Sequence, residues 1–333
     1  MTGHALRMSL RTGVLAALLP AVFAAVFGAC ASAPATPTTG VVIDPEAPQV
    51  TPHGDLGILR HRAAIGLTAD VRAELAPRLA AVADRPGPDP GRDALRALAI
   101  ELALIQGDAD AARAELDRLD RTIAGQGERA SAELRALAAT LRGAWLFDAH
   151  RYADARSSHL RALVALDQQP PDPQGAAQKG AALRALARDQ LALGEAEAAV
   201  NTLGKAIELH RDSPEAHIEL HEDLLLAVDV MIAVQQPDEA VIVSSDAYNQ
   251  ALSKFGSDTL PHAEALLLVG AATLAKGDRS AAASVISDAR AILDKLQSER
   301  SDPRFPISAR ALRRSDDLMQ ALAASPTEKT TSI

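Results

Sequence analysis

Five alanines recur along this chain at nearly even steps: Ala112, Ala155, Ala199, Ala240 and Ala282 lie 43, 44, 41 and 42 residues apart. A spacing held over five copies means that one supersecondary unit repeats, each copy burying its apolar face on its neighbours. Five residues before each alanine is a turn position. Three copies place glycine there, each followed by an acid: Gln106-Gly107-Asp108, Leu193-Gly194-Glu195 and Lys276-Gly277-Asp278. The other two copies have the polar turns His150-Arg151-Tyr152 and Gln236-Pro237-Asp238. Small residues flank this frame. Gly143, Ala187 and Gly270 precede the turn by seven residues, and Ala162, Ala206, Ala247 and Ala289 follow the shared alanine by seven, where the first copy has Leu119.

Each position has a packing reason. A small residue where two helices cross lets their backbones approach, and a bulky one would hold them apart. A glycine in the turn adopts the left-handed conformation that ends a helix. After the last turn, Ala282, Val285, Ile286, Ala289, Ile292, Leu293 and Leu296 form a stripe with a 3.6-residue period, and Ala199, Val200, Leu203, Ala206 and Ile207 do the same in the third copy. Aromatics make up only 2% of a chain that is 48% hydrophobic. A core of Ala, Leu, Val and Ile suits helix on helix and suits a β-sandwich poorly.

The pattern of helix, polar turn and helix, with a small residue before the turn and two alanines after it, resembles the tetratricopeptide repeat. The period near 42 resembles the longer kinesin-light-chain subtype. Phe255-Gly256-Ser257-Asp258-Thr259-Leu260-Pro261-His262 and the following AEALLLVGAATLAKGDRSAAA are similar to that subtype's inter-repeat loop and next repeat, with the usual His-Pro order reversed. The resemblance covers about residues 92–298. It implies an all-α, right-handed α-solenoid of about five helical hairpins with N- and C-terminal capping helices. Residues 92–306 form the array and 55–91 an N-terminal helical cap and linker, in which Thr68 is an expected N-cap and Arg85 to Gly91 a breaker. Residues 307–333 hold a capping helix and a tail.

The N-terminus reads as an address. Arg7 and Arg11 precede the apolar run Gly13 to Gly28, and small residues follow it, the order of a secretory signal over residues 1–29. Pro20 interrupts the run, which is short for a membrane span. Phe27-Gly28-Ala29-Cys30 resembles a bacterial lipoprotein lipobox, with Phe27 where that family prefers an aliphatic residue. The resemblance implies that Cys30, the only cysteine, is lipidated and that the mature chain is anchored in the outer membrane facing the periplasm. Ala29-Cys30-Ala31 also reads as an ordinary signal-peptidase site that would release the chain. Residues 30–54, rich in Pro, Thr and Ala, read as a flexible tether.

No phosphate-binding glycine loop, G-x-S-x-G elbow or HExxH motif is present. His217 and His221, at i and i+4, are the best metal candidates and the basis of an alternative reading as a metal sensor or enzyme. Two ligands make a poor zinc site, and a solvated polar first turn is the simpler expectation. The net charge of −9 argues against nucleic acid as a partner. Trp145, Phe147 and Tyr152 cluster in the second unit and are expected to pack a hairpin rather than form a hot spot.

The expectation is therefore a scaffold without catalytic residues, cofactor or metal, binding a protein or peptide at the membrane. The resemblance implies that the first helix of each unit lines the groove. Its register selects Glu101, Thr140, Phe147, Arg184, Arg188, Glu222, Asp229 and Glu264. Such a groove is acidic toward its C-terminal end with a basic step in its middle. It suits a partner segment with a basic portion and a nearby acid.

Overall fold

The structure, a computed structural model, describes residues 52–82, 87–168, 173–213, 216–300 and 306–324. The chain divides into two units, 1–49 and 50–333, and every described residue lies in the second. The signal-like run, Cys30 and most of the tether lie outside the described residues. Among the described residues there are thirteen α-helices and no strand, and no helix is long and apolar enough to cross a membrane.

Helices α1 (Pro52–Ala64) and α2 (Thr68–Val82) precede five hairpins: α3–α4 (Pro90–Gln106, Ala109–Gln126), α5–α6 (Ala132–Asp148, Tyr152–Leu166), α7–α8 (Pro173–Ala192, Ala196–Arg211), α9–α10 (His217–Ala233, Pro237–Phe255) and α11–α12 (Leu260–Lys276, Arg279–Arg300). Helix α13 (Ala309–Ala323) follows. Each hairpin packs on the next, as the repeat requires.

The five turns share one backbone solution. Gly107, His150, Gly194, Gln235 and Gly277, each five residues before a shared alanine, all have positive φ. The residue after each donates to the carbonyl five back, as in Asp108 N to Ala103 O (2.8 Å), Arg151 N to Leu146 O (2.9 Å) and Gln236 N to Met231 O (2.9 Å). This double-bonded left-handed end satisfies carbonyls that a helix leaves open. His150 and Gln235 adopt it without being glycine, at a cost of about 1–2 kcal/mol each. In the fourth copy the left-handed residue is thus Gln235, one before the polar triplet. Asp108 and Asp278 then cap the helix that follows, accepting from Ala111 N and Ala281 N.

All five shared alanines are fully buried, as are Ala162, Ala206, Ala247, Ala289 and the exceptional Leu119. The close crossings are real. A Cβ on Gly143 would sit 2.2 Å from His159 Nε2, and one on Gly270 would sit 2.4 Å from Ile286 Cγ1.

The N-terminal stretch is two helices. Gly66, at φ +98°, breaks it, and Thr68 is the first helical residue with its hydroxyl unpartnered, so Thr68 does not cap. Leu59, Ala63, Val71 and Leu75 close over Leu98 and Leu102 of α3. At the other end Ile307, Ala311, Leu312, Leu318 and Leu322 cover the last hairpin. The two ends also meet: Leu260 N donates to Ile65 O (3.4 Å), and Ile307 packs on Gly66.

Candidate binding groove

Arg184 and Arg188 stand one turn apart on α7, so both project from one face. Arg184 Nη1 donates to Asp223 Oδ1 (3.2 Å) and to Glu219 O (2.9 Å) of α9, and its Nη2 lies 3.7 Å from Glu222. Arg188 lies over the Phe147 ring of α5, 4.2 Å from its centroid, and its Nε has no hydrogen-bond partner. Phe147 in turn packs on Tyr152, with centroids 5.0 Å apart. Trp145 turns away and donates to Ala109 O (3.2 Å) in the first hairpin.

The acids of the C-terminal half meet a group that does not come from the hairpins. Arg310 of α13 lies 3.3 Å from Glu264 and 4.0 Å from Glu222, and Arg314 pairs with Asp229. Burial pushes the Glu222 carboxyl up, but Arg184, Arg310 and Arg188 outweigh it and hold it at about 2. Glu264 is pushed up, by burial first and Glu222 second, against the pull of Arg310. Arg310 is held above the usual guanidinium range, chiefly by Glu264. Burial and the neighbouring Arg310 both lower Arg188. The groove is still wet: 51% of the Arg310 side chain and 39% of Glu222 remain exposed.

Five of the eight groove residues chosen from the sequence, Arg184, Arg188, Glu222, Asp229 and Glu264, therefore join one charge network, and Phe147 lies under it. Glu101 lies apart, paired with Arg60 of α1 at 3.1 Å. The Thr140 carbonyl accepts from His159 Nε2 (3.2 Å), a contact inside the scaffold.

Beneath the groove run two buried histidine–aspartate contacts. His159 Nδ1 meets Asp189 Oδ2 (2.5 Å), joining α6 to α7, and His210 Nδ1 meets Asp223 Oδ2 (2.6 Å), joining α8 to α9. The other nitrogen of each ring faces a backbone carbonyl, of Thr140 or Ala177, one hairpin helix back. All four side chains are fully buried. Each ring fills the space left by a glycine, Gly143 or Gly180. Sequence reasoning missed these contacts, because a histidine in an alanine-rich helix gives no sign of its partner on the next helix. It also missed Arg310 and Arg314, although their i, i+4 spacing beside an apolar stripe was visible.

His217 and His221 do not form a solvated first turn. His221 is buried at 3% exposure, and burial lowers it to about 4. Both rings pack on Phe255, and His61 of α1 stacks on the same ring at 5.8 Å. Among the described residues no group of three or more His, Cys, Asp or Glu is placed to hold a metal.

No protein-family model matches the sequence, and no curated protein matches it. Solved structures do. A Rap protein complexed with Competence and Sporulation Factor is 13% identical over 74% of this chain and 66% of its own, with a TM-score of 0.54. NprR in complex with its cognate peptide NprX is 17% identical over 75% of this chain and 68% of its own, with a TM-score of 0.52. BtubC (BKLC) from P. vanneervenii is 15% identical over 74% of this chain and 94% of its own, with a TM-score of 0.50. The likeness shows the fold, a tetratricopeptide-like α-solenoid.

Proposed function

We propose that this chain is a scaffold, rather than an enzyme, that binds a protein or peptide through the face lined by α5, α7, α9 and α11. The observation that carries the reading is the convergence of Phe147, Arg188, Glu222, Asp229 and Glu264 from four successive first helices onto one partly exposed charged surface. A surface assembled from the first helices of successive repeats reads an extended or helical segment along its length. Two neighbours of the same fold were solved in complexes, one with Competence and Sporulation Factor and one with a cognate peptide, which supports a protein or peptide ligand.

The lipobox resemblance at Cys30 adds a place. We propose that the chain is lipid-anchored in the cell envelope and serves as an accessory subunit of an assembly, secretion or cell-wall machine there. The Pro/Thr/Ala-rich residues 30–54 would hold the solenoid away from the bilayer.

Two experiments test this. Cys30→Ser in the native host should release the chain from membranes or leave an unprocessed precursor, and unchanged partitioning contradicts the anchor. Affinity capture from detergent-solubilised membranes should recover a partner with the wild-type chain and lose it with Arg188→Gln combined with Glu222→Gln. Arg184 is unsuitable for charge reversal, since a new acid there would be buried against Asp223. Equal capture by wild type and variant at low salt contradicts the groove.

A further inference from the structure

Helix α13 does two jobs with two faces. Its apolar face, with Ala311, Leu312, Leu318 and Leu322, covers the last hairpin. Its other face carries Arg310 and Arg314, one turn apart, into the acids of α9 and α11. The start of the helix lies at the opposite end of the stack: a Cβ on Gly107, in the first hairpin's turn, would be 3.1 Å from the Cβ of Ala309. A helix needed only to shield the last hairpin has no need to reach the first one or to place arginines on the first helices between.

The chemistry of this segment is the kind the groove would select from a partner. It has a basic portion, Arg310, Arg313 and Arg314, followed after Ser315 by Asp316 and Asp317. Its arginines satisfy Glu264 and Asp229, and Arg310 still leaves half of its side chain in water. The acids are less exposed, Glu264 at 13% and Asp229 at 28%, so they are costly to leave unpaired, and only a segment that brings the same two arginines can take the place of α13.

Building on the groove reading, we propose that α13 is a resident occupant of the acidic end of the groove. The partner is an amphipathic helix with two arginines one turn apart beside an apolar stripe, and it binds by displacing α13. Its arginines replace Arg310 and Arg314 against Glu264, Glu222 and Asp229, and its apolar stripe takes over the last hairpin. Until such a helix arrives, α13 holds the site at the high effective concentration of a tethered segment.

The test adds an isotope-labelled synthetic peptide of residues 306–324 to the full chain and follows hydrogen exchange by mass spectrometry. The expected result is saturable peptide binding and at least tenfold faster exchange of the chain's own residues 309–323. The peptide with Arg310→Glu and Arg314→Glu gives neither effect. In a chain whose own clasp is weakened by Arg310→Gln and Arg314→Gln, adding Glu222→Gln and Asp229→Asn lowers peptide affinity at least tenfold while the helical content is retained. If the wild-type chain binds no peptide, a chain with Arg310→Gln and Arg314→Gln, its own clasp weakened, must bind it. Failure in both overturns the proposal. Binding that leaves the exchange of 309–323 unchanged puts the peptide on another surface and also overturns it. A concentration-dependent dimer that exchanges α13 between copies overturns it in favour of a second copy as occupant. The groove reading survives each of these failures, because capture through Arg188 and Glu222 is measured separately.

Discussion

Asp223 and Glu222 are neighbours in sequence and sit in opposite regimes. Asp223 is fully buried and shared between His210 and Arg184, which lie on α8 and α7. Glu222, one residue earlier, is 39% exposed and meets Arg184 and Arg310 at 3.7 and 4.0 Å. The first contact joins hairpins, and the second faces whatever lies in the groove. One helix thus carries a fixed charge on its inner side and an exchangeable one on its outer side. Burial, more than charge, separates scaffold from recognition. A buried pair is costly to break because each partner is left without water, whereas an exposed pair exchanges one hydrated state for another.

The largest effect should come from the inner side. Asp223→Ala leaves the buried His210 without its acid and takes from Arg184 the nearer of its two, and should cost about 3–5 kcal/mol in urea unfolding. A loss no larger than that of a surface substitution would break the distinction between the two regimes. Next comes Gly180→Ala, whose Cβ would lie 2.4 Å from His210 Nε2. The ring must move off the Ala177 carbonyl, at a cost of about 1–3 kcal/mol in the same assay.

The pH dependence sharpens the comparison. His61, His221 and His262 are all lowered, in each case first by burial. The unfolded chain binds protons near pH 6.5 that the folded chain accepts only at lower pH, so stability should fall as pH drops through this window. For His221 the window runs from 6.5 to about 4, and His221→Leu should flatten the melting temperature across it. Glu222 acts later. Its depressed carboxyl adds stability above 4.5 that is lost as pH falls toward about 2, and Glu222→Gln should remove that slope.

The smallest effect on global stability belongs to the outer side. Arg314→Gln should change the unfolding free energy by less than about 1 kcal/mol. It should nevertheless raise protease sensitivity within residues 309–323. A loss of several kcal/mol would show that α13 is part of the fixed scaffold.

The hairpins were legible because their constraints are local. A shared alanine and the turn five residues before it can be read along one strand of sequence, and the turn register held even where His150 and Gln235 replaced glycine. The groove was partly legible, because helix register assigns a face to Arg188, Glu222 and Glu264. The histidine–aspartate contacts were not, since each spans two hairpins and depends on which residue faces which glycine. Arg310 and Arg314 escaped notice for a related reason. A capping helix is predicted from its apolar stripe, and that stripe says nothing of where its charged face goes. The solvated first turn expected at His217 and His221 failed because His217 packs against His61 of α1 and Phe255, and His221 is buried against Phe255.

Native-state hydrogen exchange of the wild-type chain, alone and without any partner, tests the central claim most directly. If the groove's charges hold an exchangeable occupant over a fixed stack, residues 309–323 should open by a local step well below the free energy of global unfolding. Helices α7, α8 and α9, joined through His210, Arg184 and Asp223, should exchange only by global unfolding. If α13 exchanges with the same opening free energy as α7 to α9, the chain is one cooperative body, and α13 is a cap and not an occupant.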